Sequence, residues 1–302
     1  MNLGGEIVKG SGDCFISLRA TSNWPEVSDR MRSRLIPVAV AAASLFAFIP
    51  TVDAGTDVKL LVLKEHGVGS AAQAQPYLDK LIGVAQKAMG WSSASGKYTT
   101  DRGEAQDYVS KESPQYGILS LPAYLAWKDS KKLEVIGQVT VANGGGLQYF
   151  IVSKSASSLA DCKGAKLATD HDDKTFINKV ASGGAFKMDD FDVQAMKRPL
   201  QGIKAVIKDE AKCALIDDAQ LAALATVDGG KDVKTVWKSA AMPPMPVVAF
   251  PSADSADKKK FSGILGNLCS GDAKTACNEV GIQTLKSASD SDYGQVLASY
   301  QK

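Results

Sequence analysis

Asn143-Gly-Gly-Gly-Leu-Gln-Tyr-Phe-Ile-Val-Ser153 puts three glycines in a row directly before a compact aromatic and β-branched run. Glycine reaches backbone conformations closed to other residues, so 143–146 predicts a crossing of the chain, and 148–153 predicts a strand. Moving toward the N-terminus, the apolar run 133–139 reads as a strand. Residues 116–120 form a short strand, and Leu121-Pro122 opens a helix through Tyr124 and Trp127. Residues 76–89 carry Leu78, Leu81, Ile82, Ala85 and Met89 at helical spacing, and 58–63 is a bounded strand. Moving toward the C-terminus, 166–169 reads as a strand and 175–181 as helical. Residues 200–212 place Ile203, Val206 and Ile207 on one helix face, and 213–216 is a strand closed by Asp217-Asp218. Pro243 to Pro246 interrupts again before a strand at 247–250, and 254–302 reads as mostly helical.

Alternating strands and helices predict an α/β fold, each half a mixed, mostly parallel sheet with helices on both faces. Two breaks enclosing a middle block predict two lobes, with the chain crossing twice. Lobe one takes residues 55–142 with 247–302, and lobe two takes 143–246. Open sheets place ligands beyond the C-terminal ends of their strands, so two facing lobes make a cleft suited to hinge closure.

Length and composition are those of a folded globular protein: 302 residues, 45% hydrophobic and 23% charged, with a net charge of +2. That balance leaves no footprint for nucleic acid, and Lys258-Lys259-Lys260 reads as a solvated helix face. Residues 31–54 have a basic head, a short apolar run and a small-residue end at Val52 and Ala54, which predicts a signal peptide. The run at 35–49 is too short to span a membrane comfortably. Translation is therefore expected to start at Met31, with 1–30 a misassigned leader and the mature protein periplasmic. Of five cysteines, Cys14 falls in that leader. Cys162, Cys213, Cys269 and Cys277 remain for disulfides, as suits an exported chain. Their connectivity stays open: Cys269 and Cys277 bracket a small loop, and Cys162 and Cys213 each flank a strand. No CxxC pair occurs and only His66 and His171 are present, so neither a metal site nor a cofactor is expected. His66-Gly67-Val68-Gly69-Ser70 lacks the ending of a nucleotide-binding loop and reads as a turn at the cleft.

Tyr116-Gly-Ile-Leu-Ser-Leu-Pro-Ala-Tyr-Leu-Ala126 resembles the first-lobe strand and ligand-facing helix start of type 2 periplasmic binding proteins, in particular the phosphate/phosphonate-binding components of ABC transporters. The stretch 133–154, the segment Ser158-Leu-Ala-Asp-Cys-Lys-Gly-Ala-Lys-Leu-Ala168 and the stretch 203–217 follow that branch in order and spacing. The resemblance implies a monomeric exported protein, not an enzyme, that captures a small solute and passes it to a membrane permease. A receptor-signalling sensor is the alternative, and an exported enzyme a more distant one. Expected ligand contacts are Ser70 and Ser120 from lobe one, with Tyr149, Asp172, Lys174, Thr175 and Asp217 from lobe two.

The turn after the 166–169 strand departs from the branch's Ser- and Thr-rich pattern, reading Thr169-Asp-His-Asp-Asp-Lys-Thr175. An unneutralised carboxylate ~4 Å from a bound anion repels it by roughly 4 kcal/mol at a dielectric of about 20. Either Asp172 or Asp173 caps the following helix, or the ligand carries an amine that suits inward-facing carboxylates.

Overall fold

The computed structural model describes residues 56–66 and 70–302. The leader and signal-peptide readings of 1–54 lie outside the described residues. The chain runs β1 (Asp57–Leu63), α1 (Ala71–Met89), β2 (Ser93–Thr99), α2 (Arg102–Glu112), β3 (Tyr116–Leu119), α3 (Leu121–Trp127) and β4 (Glu134–Val141), then crosses. Beyond the glycines come β5 (Tyr149–Ser153), α4 (Leu159–Cys162), β6 (Lys166–Thr169), α5 (Lys174–Phe176), β7 (Asp192–Ala195), α6 (Gln201–Ile207), β8 (Cys213–Asp217), α7 (Asp218–Leu224) and β9 (Lys234–Lys238). The chain returns as β10 (Met245–Ala249), followed by α8 (Ser255–Ile264), α9 (Lys274–Val280), β11 (Ile282–Lys286) and α10 (Gly294–Gln301).

Two sheets result, ordered β11-β4-β10-β3-β1-β2 and β7-β6-β8-β5-β9. In the first, β1 pairs parallel with β2 and β3, while β10 lies antiparallel between β3 and β4, and β11 lies antiparallel on β4. In the second, β6 pairs parallel with β7 and β8, and β5 runs antiparallel to β8 and β9. The strands that run against the majority are those adjoining the crossings or completing an edge. A chain arriving from the other half must enter a sheet from the opposite end.

Local chemistry accounts for the element ends. Ser70 and Gln73 form a reciprocal capping box at the start of α1, and Gly90, at φ 74°, ends the helix in the left-handed conformation. Leu78, Ile82, Ala85 and Met89 form its buried face. Four strands escape the sequence reading. β2, Ser-Ala-Ser-Gly-Lys-Tyr-Thr, has no apolar run, yet it pairs along its whole length with β1. Edge strands β7 and β9 are half-exposed and polar, and β11 sits within the stretch read as helical. The α6 helix stops at Ile207, short of the expected 212, because the chain folds back there: Glu210 N–H donates to Ala205 O and Asp209 takes φ 60°. The expected 175–181 helix is a short α-turn continued by a π-helical turn at Ile177–Ala181.

Alternate residues of β1 face two different cores. Leu60 and Val62 pack with Leu78, Ile82, Tyr116 and Phe261. Leu61 and Leu63 join a cluster that continues through Leu119 and Tyr124 to Tyr149, Ile151, Leu167 and Phe176 of the second sheet. The halves thus share apolar packing, while a cleft of about 1620 Å³, lined by polar loops of both, stays open between them. A third cluster, including Phe150, Val152, Ile203, Val206 and Ile216, covers the other face of the second sheet.

The two crossings are bonded to each other. Met242 N–H donates to Leu147 O, Ser239 N–H to Tyr149 O, and Tyr149 N–H to Ser239 Oγ. Gly145 and Gly146 hold φ 72° and 81°.

Candidate functional site

The C-terminal ends of β1, β3, β6 and β8 meet the N-terminal end of β5 at the cleft, which is where α/β sheets place ligands. An inner pocket there is lined by Lys64, Glu65, His66, Ser120, Gly145, Tyr149, His171 and Asp217. Residues just past the β1 and β6 strand ends supply most of its charge.

Glu65 is satisfied from its own half of the molecule. Arg102 donates to it through Nε (2.6 Å) and Nη2 (3.0 Å), and Ser120 Oγ donates at 2.6 Å. Arg102 also donates through Nη1 to Asp173 Oδ2 at 3.0 Å, reaching across to the turn after β6. Burial disfavours the guanidinium, but Glu65 and Asp173 outweigh it and raise its pKa.

In that turn Thr169 Oγ1 accepts His171 N–H, and the buried Asp170 and His171 turn toward Gln220, which is fully buried. Gln220 Oε1 accepts Asp217 N–H, and its Nε2 donates to Asp170 Oδ1 (2.8 Å) and Pro199 O (3.0 Å). Oε1 is therefore an acceptor toward His171 Nε2 at 3.1 Å as well, which makes that nitrogen the donor. Burial, and then the neighbouring His66, push His171 down to about 4. Burial also opposes the His66 imidazolium, but Asp170 overcomes it and raises the His66 pKa. Asp170 moves the opposite way: burial lifts it, and contact with the two imidazoles brings it below its ordinary value. His66 Nδ1 lies 3.6 Å from Asp170 Oδ2.

Tyr149 is buried and set edge-on to His171 and Phe176. Asp217 caps α7 by accepting Gln220 N–H at 2.9 Å. Burial, against that hydrogen bond, and the charges of Asp218 and Asp170 push it up to about 6. Lys64 is half-buried at the same pocket. Burial lowers its pKa, and Asp217 and Asp218 pull it back up.

Of the expected contacts, Ser120, Tyr149 and Asp217 lie at the inner pocket, while Ser70, Asp172, Lys174 and Thr175 line the wider mouth. Two of the latter have other engagements: Ser70 caps α1, and Lys174 pairs with Asp189 at 2.9 Å on the surface. Of the two aspartates expected as caps, Asp173 is the one, accepting Phe176 N–H at 2.9 Å, and Asp172 is exposed. The sequence reading missed Lys64, Glu65, His66, Arg102, Asp170, His171 and Gln220. Lys64 to His66 and Asp170-His171 directly follow predicted strands, a position that marks cleft residues by itself. Arg102 and Gln220 sit on helices and carry no such signal.

Cys162, at the end of α4, and Cys213, at the start of β8, lie at disulfide distance with Cα atoms 6.0 Å apart, and Cys269 and Cys277 do so with Cα atoms 5.6 Å apart.

The family described as the ABC transporter, phosphonate, periplasmic substrate-binding protein matches residues 95–293. No curated protein is a sequence match. Among solved structures, a binding protein component of an ABC phosphonate transporter from Pseudomonas aeruginosa is similar over 82% of this chain and 87% of its own, at 12% identity and a TM-score of 0.62. A Xanthomonas citri protein bound to ATP covers 82% and 98%, at 12% identity and 0.65. PhnD1 from Prochlorococcus marinus, in complex with methylphosphonate, covers 81% and 97%, at 8% identity and 0.62. At these identities the likeness establishes a shared two-lobed fold. With two sheets joined by paired crossings, a polar cleft at the strand ends and a family match over most of the described residues, the chain belongs to the periplasmic substrate-binding proteins of phosphonate ABC transporters.

Proposed function

We propose that this chain captures a small solute of the phosphonate type, its oxyanion head at the mouth of the inner pocket (about 30 Å³) and the rest in the adjoining cleft, and delivers it to the permease of an ABC transporter. The observation that carries the reading is Lys64. Its ammonium lies half-buried at the inner pocket, with no carboxylate within 4.0 Å and no hydrogen bond among the described residues. The Tyr149 hydroxyl at the same pocket likewise has no hydrogen-bond partner among the described residues. An oxyanion would satisfy both.

The carboxylates that would repel it are largely engaged. Arg102 and Ser120 hold Glu65, Arg102 and the α5 N-terminus hold Asp173, and Gln220 holds one oxygen of Asp170. Asp172, exposed at the mouth, favours a solute that also bears an amine. A signal peptide at 31–54 and two cystines suit work in the oxidising periplasm. We read the protein as acting there as a monomer, without turning its solute over.

A thermal-shift screen of phosphate, methylphosphonate, an aminoalkylphosphonate and a sulfonate tests the reading. At 100-fold excess over Kd a true ligand adds about 2.7 kcal/mol to stability. The aminoalkylphosphonate is expected to stabilise most. Lys64→Gln should weaken binding ~10- to 100-fold, the worth of one charge-assisted hydrogen bond. Indifference to every oxyanion would refute the proposal.

A further inference from the structure

We infer that His66, Asp170 and His171 form a site for a divalent transition-metal ion, Zn²⁺ foremost, that fastens the two halves of the molecule together. The sequence holds two histidines in 302 residues. They lie far apart in the chain, one after β1 in the first sheet and the other after β6 in the second. The fold nevertheless brings their rings to a centroid separation of 4.5 Å. One donor atom from each ring and one Asp170 oxygen all lie within 4.8 Å of one another. A tetrahedral Zn²⁺ with bonds near 2.0–2.2 Å spaces its donors by about 3.4 Å, so side-chain shifts of about 1 Å gather this set. His66 Nδ1 and Asp170 Oδ2, at 3.6 Å, are already close to that spacing.

The second observation is Asp170 itself. The residue is 8% exposed, its Oδ1 accepts from Gln220, and its Oδ2 is buried with no hydrogen-bond partner among the described residues. His66 Nδ1 faces this oxygen at 3.6 Å, beyond hydrogen-bond reach, so the buried carboxylate keeps a desolvation cost that a directly bound cation would recover. Gln220 holds both Asp170 and His171 from behind, the kind of supporting contact that orients metal ligands. Two imidazoles and a carboxylate suit zinc better than magnesium, which prefers oxygen donors and its own waters. Three protein donors leave Zn²⁺ one coordination position for water or an oxyanion. Because the ligands come from both sheets, a bound ion would resist opening of the cleft.

The site shares the inner pocket with the proposed solute but does not rest on that reading, and the two are tested separately: the solute screen is run in EDTA, and the metal titration without solute. Protein stripped with EDTA and dialysed is titrated calorimetrically with ZnCl₂ and, in parallel, with MgCl₂. One zinc per chain, no magnesium heat, and a rise in thermal midpoint reversed by EDTA are expected. His66→Ala and His171→Ala should each weaken zinc binding by about tenfold or more, while Asp272→Asn, in a distant turn, should leave it unchanged. Circular dichroism and urea midpoints of the variants in EDTA separate lost ligation from lost folding. Co²⁺ bound to the intact protein should give visible d–d bands that zinc displaces. Absence of zinc binding to the intact protein, or zinc binding undiminished in both folded histidine variants, overturns the inference.

Discussion

Asp217 and Lys64 occupy one pocket and respond to burial in opposite senses. Asp217, 4% exposed, is pushed up to about 6 from 3.8. The folded state therefore holds its proton more tightly than the unfolded chain does, so Asp217 favours folding most below pH 4. That contribution is lost as pH rises through about 6. The shift of about two units corresponds to ~3 kcal/mol as an upper bound. Asp217→Asn keeps an oxygen to cap α7 but removes the titration. The variant is expected to be more stable than the parent at pH 8, by up to ~3 kcal/mol, and to vary less between pH 4 and 6. Urea unfolding at a series of pH values checks this, and an unchanged pH profile would contradict the assignment.

The connectors and caps carry the specificity at the scale of elements. Gly145 holds φ 72°, and a methyl group there would land on Asp217 Oδ2. Gly145→Ala adds a left-handed penalty of about 1–2 kcal/mol to that collision. A loss of ~2 kcal/mol or more is expected in chemical denaturation, partly relieved when Asp217→Ala is added. A cost below ~0.5 kcal/mol would mean that the crossing relaxes freely. The glycine run was legible as a break because Gly145 and Gly146 take a left-handed conformation that no other residue type adopts so readily. The apolar runs of β1, β3, β5 and β8 were legible because both faces are covered. β2, β7, β9 and β11 were not, since an edge strand takes its backbone partner from a neighbour distant in sequence and needs little apolar pattern of its own. The same limit hid much of the site. Tyr149 and Asp217 stand out beside a glycine run and at a strand end. The meeting of His66 with His171, and of Arg102 with Asp173, follows only from how the two sheets face each other.

Closure of the whole molecule is expected to rest on a few polar contacts between the halves. Arg102 is the clearest, joining Glu65 after β1 to Asp173 after β6. Arg102→Ala leaves two cleft carboxylates without their cation and favours the open form. Its radius of gyration in solution scattering should exceed that of the parent, with solute affinity lower. Matching scattering curves and unchanged affinity would show that the apolar packing through Leu119, Tyr149 and Phe176 fixes the spacing instead. The position of β10 has a consequence for assembly. Residues 57–141 provide β3 and β4, yet the strand that belongs between them begins only at Met245. During synthesis and export, the first half therefore waits with one edge of β3 and both edges of β4 unpaired while all five strands of the second sheet, from Tyr149 to Lys238, can already find each other. Late-arriving, non-local pairing of this kind slows folding and exposes edges to aggregation. The half made first is the one finished last.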